Sequence, residues 1–122
     1  MKHLLFIILC FVLLSCKAQE NKTIVDVEKS NFKKYILCQC MYKGVPIKDS
    51  LLRAEGSAGM YVQIGNYDIE HYEKAIDFID EYLKKAKAKY KSKVNANLTI
   101  AKCIDLYESK ELDIFIKDLK EP

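Results

Sequence analysis

Two prolines and four glycines in 122 residues leave the chain few places to break a helix. No run alternates apolar and polar residues between hairpin turns, so a sheet is excluded as the main architecture. Histidine is equally scarce: His3 and His71 are the two. There is no glycine-rich phosphate loop. The acidic residues are scattered among lysines, so no carboxylate pair is set apart for acid–base work. An excess of one charge is missing too, with 20 basic residues against 17 acidic ones. No basic cluster is interleaved with stacking aromatics, which argues against nucleic acid. The small positive excess would favour an anionic partner only weakly. Nor is any apolar run long enough to cross a bilayer core of about 30 Å, which takes roughly 20 helical residues.

What is present begins with a leader. Residues 4–14 form an unbroken apolar run after Lys2 and His3, the length of a secretory signal core. It ends in "LLSC", where Ser15 precedes Cys16. This resembles the bacterial lipoprotein signal, in which the cysteine is lipidated and becomes the new N-terminus. Cleavage after Ala18 is the alternative, and both place the mature protein in the cell envelope. The expected division is a signal peptide at 1–15, a lipidated tether at 16–29 and a helical domain at 30–122. Acyl chains on Cys16 would contribute about 0.8 kcal/mol per buried CH₂. The domain is large enough for a single core.

From Asn31 the pattern is helical. In the first helix, 30–43, Phe32, Ile36, Leu37, Cys40 and Met41 share one face. Ser30 or Asn31 can cap it, and Gly44 and Pro46 end it. A second helix, 49–64, takes Leu51, Leu52, Ala58 and Val62 as its apolar positions. Gly56 and Gly59 within it each cost about 1 kcal/mol against alanine, which implies close packing or a kink. A third helix, 68–89, carries a heptad seam of Ile69, Tyr72, Ile76, Ile79, Leu83, Ala86 and Tyr90. Asp68 can cap it, and Glu81 and Lys85 form a favourable i, i+4 pair. Its basic end, "KKAKAKYKSK", suits the helix dipole. A polar connection at 90–97 leads to a fourth helix, 95–108. A fifth, 109–120, is capped by Ser109 and buries Leu112, Phe115, Ile116 and Leu119. The expected fold is an all-α bundle of about five helices.

Cys38, Cys40 and Cys103 remain once the leader and Cys16 are set aside. The envelope permits disulfides. Cys40 is on the core face of the first helix, and Cys103 shares a face with Ile100 and Tyr107. A Cys40–Cys103 bridge would tie the first helix to the fourth; Cys38–Cys103 is the competing pairing. A metal site would have to use these cysteines and His71, but Cys38 and Cys40 do not converge on one ion from a helix. His71 lies off the seam and reads as a solvated surface residue, so a cysteine nucleophile lacks its base. No catalytic set, metal site or cofactor is expected. That leaves a binding protein.

The stretch "KCIDLYESKELD" at 102–113 resembles the immunity proteins of type VI secretion amidase effectors. "NFKKYILCQCMY" is similar to the first helix of that family and "EHYEKAIDFIDEYL" to its central helix. The resemblance covers roughly 31–119. It implies an all-helical periplasmic homodimer, not an enzyme. Such a protein binds an NlpC/P60-type peptidoglycan amidase and occludes its active site. By register Cys40 and Cys103 match the paired cysteines of the family, whereas Cys38 departs from its pattern. The occluding residues do not carry over. They are expected in the polar connection, at Tyr90, Lys91, Ser92, Lys93, Asn95 and Asn97, because a loop between firm helices suits insertion. Two other readings are an envelope binding or adaptor module and a redox or metal sensor built on the three cysteines.

Overall fold

One helix, α1 (Lys2–Gly44), carries the stripe on which the bundle is assembled. Phe32, Tyr35, Ile36 and Cys40 are buried along it at helical spacing. Helices α3 (Ser57–Ile64), α4 (Ile69–Lys89), α5 (Thr99–Tyr107) and α6 (Lys110–Asp118) all pack against α1. A single turn, α2 (Ser50–Ala54), buries nothing. The computed structural model describes the backbone of residues 2–94 and 96–119, with side chains from Thr23 onward. The signal at 1–15 and Cys16 lie outside the described side chains. Among the described residues there is no strand, and no helix is long and apolar enough to cross a membrane.

The core has two parts. Toward the start of the packed region, Phe32 meets Tyr67 and Tyr72 at ring distances of 4.4 and 5.2 Å, and Tyr35 stands edge-on to Tyr72 at 4.8 Å. Each such pair adds about 1 kcal/mol beyond its area. Further along α1, Ile36 and Cys40 meet Ala75 and Ile79 of α4, with Cys103, Leu106, Leu112 and Ile116 closing the other side. Phe78 and Phe115 stack at 4.3 Å and join α4 to α6.

The three cysteines resolve as one bridge and one free thiol. Cys40 and Cys103 are bonded, with Cα atoms 5.7 Å apart and a sequence separation of 63. Closing a loop of that size stabilises the fold by about 4 kcal/mol on the chain-entropy account. Cys38 is free and half-buried.

Several local expectations give way to long-range contacts. The first helix does not start at Ser30, because residues 23–29 are already helical. Glu28 is buried there and accepts hydrogen bonds from the Asn66 backbone N–H and Nδ2, both at 3.0 Å. These charge-assisted bonds hold the turn between α3 and α4 against α1. Ser30 and Asn31 are interior helical residues and cap nothing. The second helix is split in two at Glu55–Gly56: Asp49 caps α2 through Leu52 N–H at 2.8 Å, and the Glu55 carboxylate takes up Ser57 N–H. Gly56 and Gly59 have open space around them, so the kink explains this segment and close packing does not. Leu51, Val62 and Ile69 were expected inside and are exposed. His71 was expected on the surface and is buried, edge-on to Tyr67 at 5.5 Å. The turn at 65–68 lays Tyr67 over it, which helix periodicity cannot foresee. Asp68 occupies the N-cap position of α4 without a side-chain cap bond. The Glu81–Lys85 pair forms at 2.8 Å, and Ser109 caps α6 through Leu112 N–H at 3.1 Å.

The glycines that matter for packing are elsewhere. A Cβ at Gly65 would stand 2.5 Å from the Tyr72 hydroxyl and 2.9 Å from the Tyr61 carbonyl oxygen. Gly65→Ala should therefore lower stability by about 1–3 kcal/mol in chemical denaturation. Gly59→Ala should raise it by about 1 kcal/mol, since that site is helical and open. In the same assay the Cys40→Ser/Cys103→Ser double variant should lose about 4 kcal/mol. A double variant as stable as the native chain would show that the bridge is idle.

Candidate partner-binding surface

Helix α4 stops because Tyr90 leaves helical geometry while its N–H still reaches the Ala86 carbonyl, at 3.0 Å. The connection that follows is fastened at both ends. Tyr90 donates its hydroxyl to Asp105 of α5, and that bond holds the phenol above its usual pKa. Beneath it the Tyr82 hydroxyl donates to the Lys102 carbonyl at 2.7 Å, and burial pushes its pKa well up. At the other end the Thr99 hydroxyl lies 2.6 Å from both the Gly44 carbonyl and Asn97 Oδ1. Asn97 Oδ1 also accepts Thr99 N–H at 2.9 Å, which satisfies an otherwise orphaned donor at the start of α5. Within the loop, Ser92 Oγ accepts Val94 N–H at 3.2 Å and Ala96 N–H at 3.0 Å. This closes a compact turn.

The expected contact residues therefore divide. Tyr90, Ser92 and Asn97 hold the loop in shape. Lys91 and Lys93 are exposed, and Asn95 lies outside the described residues. Sequence reasoning passed over Val94, which is 84% exposed at the turn. It also placed Ile100 on the Cys103 face, whereas Ile100 is 64% exposed and Ile104 stands outside with it. The signal was legible: Ile100, Cys103, Ile104, Leu106 and Tyr107 are more apolar positions than one buried face of a nine-residue helix can take. Loop and helix together present a pinned turn beside a small apolar face.

The disulfide sits one turn along α5 from Thr99, so it fixes the helix on which the loop ends. The free Cys38 is set back on α1. Burial and then the nearby Glu55 carboxylate push its thiol up, which keeps the reactive thiolate scarce at neutral pH. No cluster of three or more metal-ligating side chains occurs among the described residues. Among the described residues, nothing in this region brings a nucleophile to a base. What the geometry offers is shape and charge for another macromolecule.

No curated protein matches the chain. Residues 30–116, well over half of it, match the family described as type VI secretion system (T6SS), amidase immunity protein, or Tai4. The matched span takes in α1 from Ser30 onward, both bridged cysteines, the loop and α6 to Ile116. The chain belongs to the Tai4 family of type VI secretion system amidase immunity proteins.

Proposed function

We propose that the protein is a periplasmic inhibitor of an NlpC/P60-type peptidoglycan amidase, with no hydrolytic activity of its own, and that it occludes the active site of that enzyme. The observation that carries this reading is the loop between α4 and α5. It is fastened at Tyr90, Ser92 and Asn97 and leaves Val94 uncovered at its turn. A loop already held in its bound shape loses little entropy on insertion. An unfastened one would lose about 1 kcal/mol or more for each backbone residue ordered. Ile100 and Ile104 beside it supply apolar area for the rim of a cleft.

Two further features belong to the same reading. Lipidation at Cys16 would hold the protein at the membrane, with the N-terminal part of α1 as its spacer. A second copy of the chain would cover Met60 and Ile64, which are exposed at i, i+4 on α3. The bridging of Cys40 with Cys103 leaves Cys38 without a thiol partner, so the three-cysteine sensor has no free set to work with. The adaptor reading has no particular feature of the fold in its favour.

The test is inhibition. The purified protein, titrated into the type VI amidases of the producing strain, should abolish peptidoglycan cleavage by one of them at a one-to-one ratio of sites. Val94→Glu should weaken that inhibition at least tenfold, about 1.4 kcal/mol or more, with the melting temperature unchanged. Inhibition by the variant equal to that of the native protein would remove the loop from the contact.

A further inference from the structure

We infer that the recess at the Gly44 end of the bundle is a second contact region, which takes a carboxylate-bearing segment of the amidase. This rests on the reading of the protein as an amidase inhibitor. The recess has a volume of about 350 Å³ and lies between the end of α1, the C-terminal half of α4 and the first turn of α5. Lys43, Lys84, Lys87 and Lys102 line it, with Gly44, Pro46 and Leu83, and the lining holds no carboxylate. Lys43 is paired with Asp80 at 2.9 Å. Among the described residues, Lys84, Lys87 and Lys102 form no ion pair.

Three lysines outside the recess are paired: Lys33 with Asp113 at 2.7 Å, Lys74 with Glu70 at 2.6 Å, and Lys85 with Glu81 at 2.8 Å. Glu81, whose carboxyl feels the charge of Lys84, is thus committed to Lys85. Three ammonium groups with no ion pair among the described residues surround one hollow and repel one another. They create a local positive potential that steers an anionic partner. Leu83 and Pro46 supply the apolar part of the lining, and the next residue, Ile47, is 83% exposed. A matching segment presents acidic side chains around an apolar one.

Position selects a protein over a lipid surface. Helix α1 rises about 1.5 Å per residue, so Gly44 stands roughly 30 Å beyond Ile24, on the far side from the N-terminus. Screening in physiological salt acts over about 8 Å, so headgroups around an N-terminal anchor are out of reach. The inserting loop, by contrast, is adjacent. Gly44 lines the recess, and its carbonyl accepts the Thr99 hydroxyl that fastens the loop. One partner can engage both.

The experiment compares the native protein with the Lys84→Ser/Lys87→Ser/Lys102→Ser variant, and with Lys110→Ser as a control on α6. Association with the type VI amidases of the strain is followed by stopped flow at low and high sodium chloride. The triple variant should associate about tenfold more slowly at low salt and lose most of its salt dependence, while the control behaves as the native protein does. Equal rates and equal salt dependence in the triple variant would overturn the recess and leave the inhibitor reading intact. No association of the native protein with any amidase would overturn that reading and the recess with it. Vesicles of phosphatidylglycerol and phosphatidylethanolamine form the last arm. Binding to them that the triple variant loses would assign the recess to lipid headgroups and overturn the proposal, whereas no such loss is the expected result.

Discussion

The contact between α1 and α5 decides where everything else can be. Cys40 and Cys103 join the two helices covalently, and one turn away the Thr99 hydroxyl meets the carbonyl of Gly44. A Cβ at Gly44 would lie 2.5 Å from Thr99 Cγ2, so the absence of a side chain there permits the approach. With α5 fixed, both ends of the chain between Lys89 and Thr99 are fixed, and its own side chains hydrogen-bond to its backbone. The basic recess beside it has its walls set by the same contact. Loop and recess are consequences of how one short helix is seated.

The stretch that carries the most specific resemblance is not the stretch that faces outward most. "KCIDLYESKELD" contributes Cys103, Leu106 and Leu112 to the core and Ser109 as a cap, so it builds the corner between α5 and α6. The surface proposed to meet the amidase draws on residues with few duties in the fold, such as Val94, Ile100, Lys84 and Lys87.

Much of the fold was legible because helices announce themselves locally. The spacing of Phe32, Ile36 and Cys40, the seam through Tyr72, Ile79 and Ala86, and the cap at Ser109 all depend on neighbours within a turn or two. The pairing of Cys40 with Cys103 came with the family resemblance, since residue spacing alone left Cys38 as a competing candidate. What was not legible depends on residues far apart in the chain. Glu28 draws residues 23–29 into the packed helix only because Asn66 arrives to meet it. His71 is covered because a turn folds Tyr67 onto it. At the candidate surface the connection between α4 and α5 was legible from its polarity, but polarity could not tell fastening residues from outward ones. Tyr90, Ser92 and Asn97 are held by hydrogen bonds that polarity does not foretell, while apolar Val94 was passed over because loops were read for their polar residues.

The central claim is occlusion, which differs from binding at a remote surface in what happens to the catalytic cysteine of the amidase. That thiol can be followed by mass spectrometry during alkylation with iodoacetamide, in the free enzyme and in the complex. The account predicts that a saturating amount of this protein protects the catalytic cysteine nearly completely. Alkylation of that cysteine at an unchanged rate within an intact complex would contradict it.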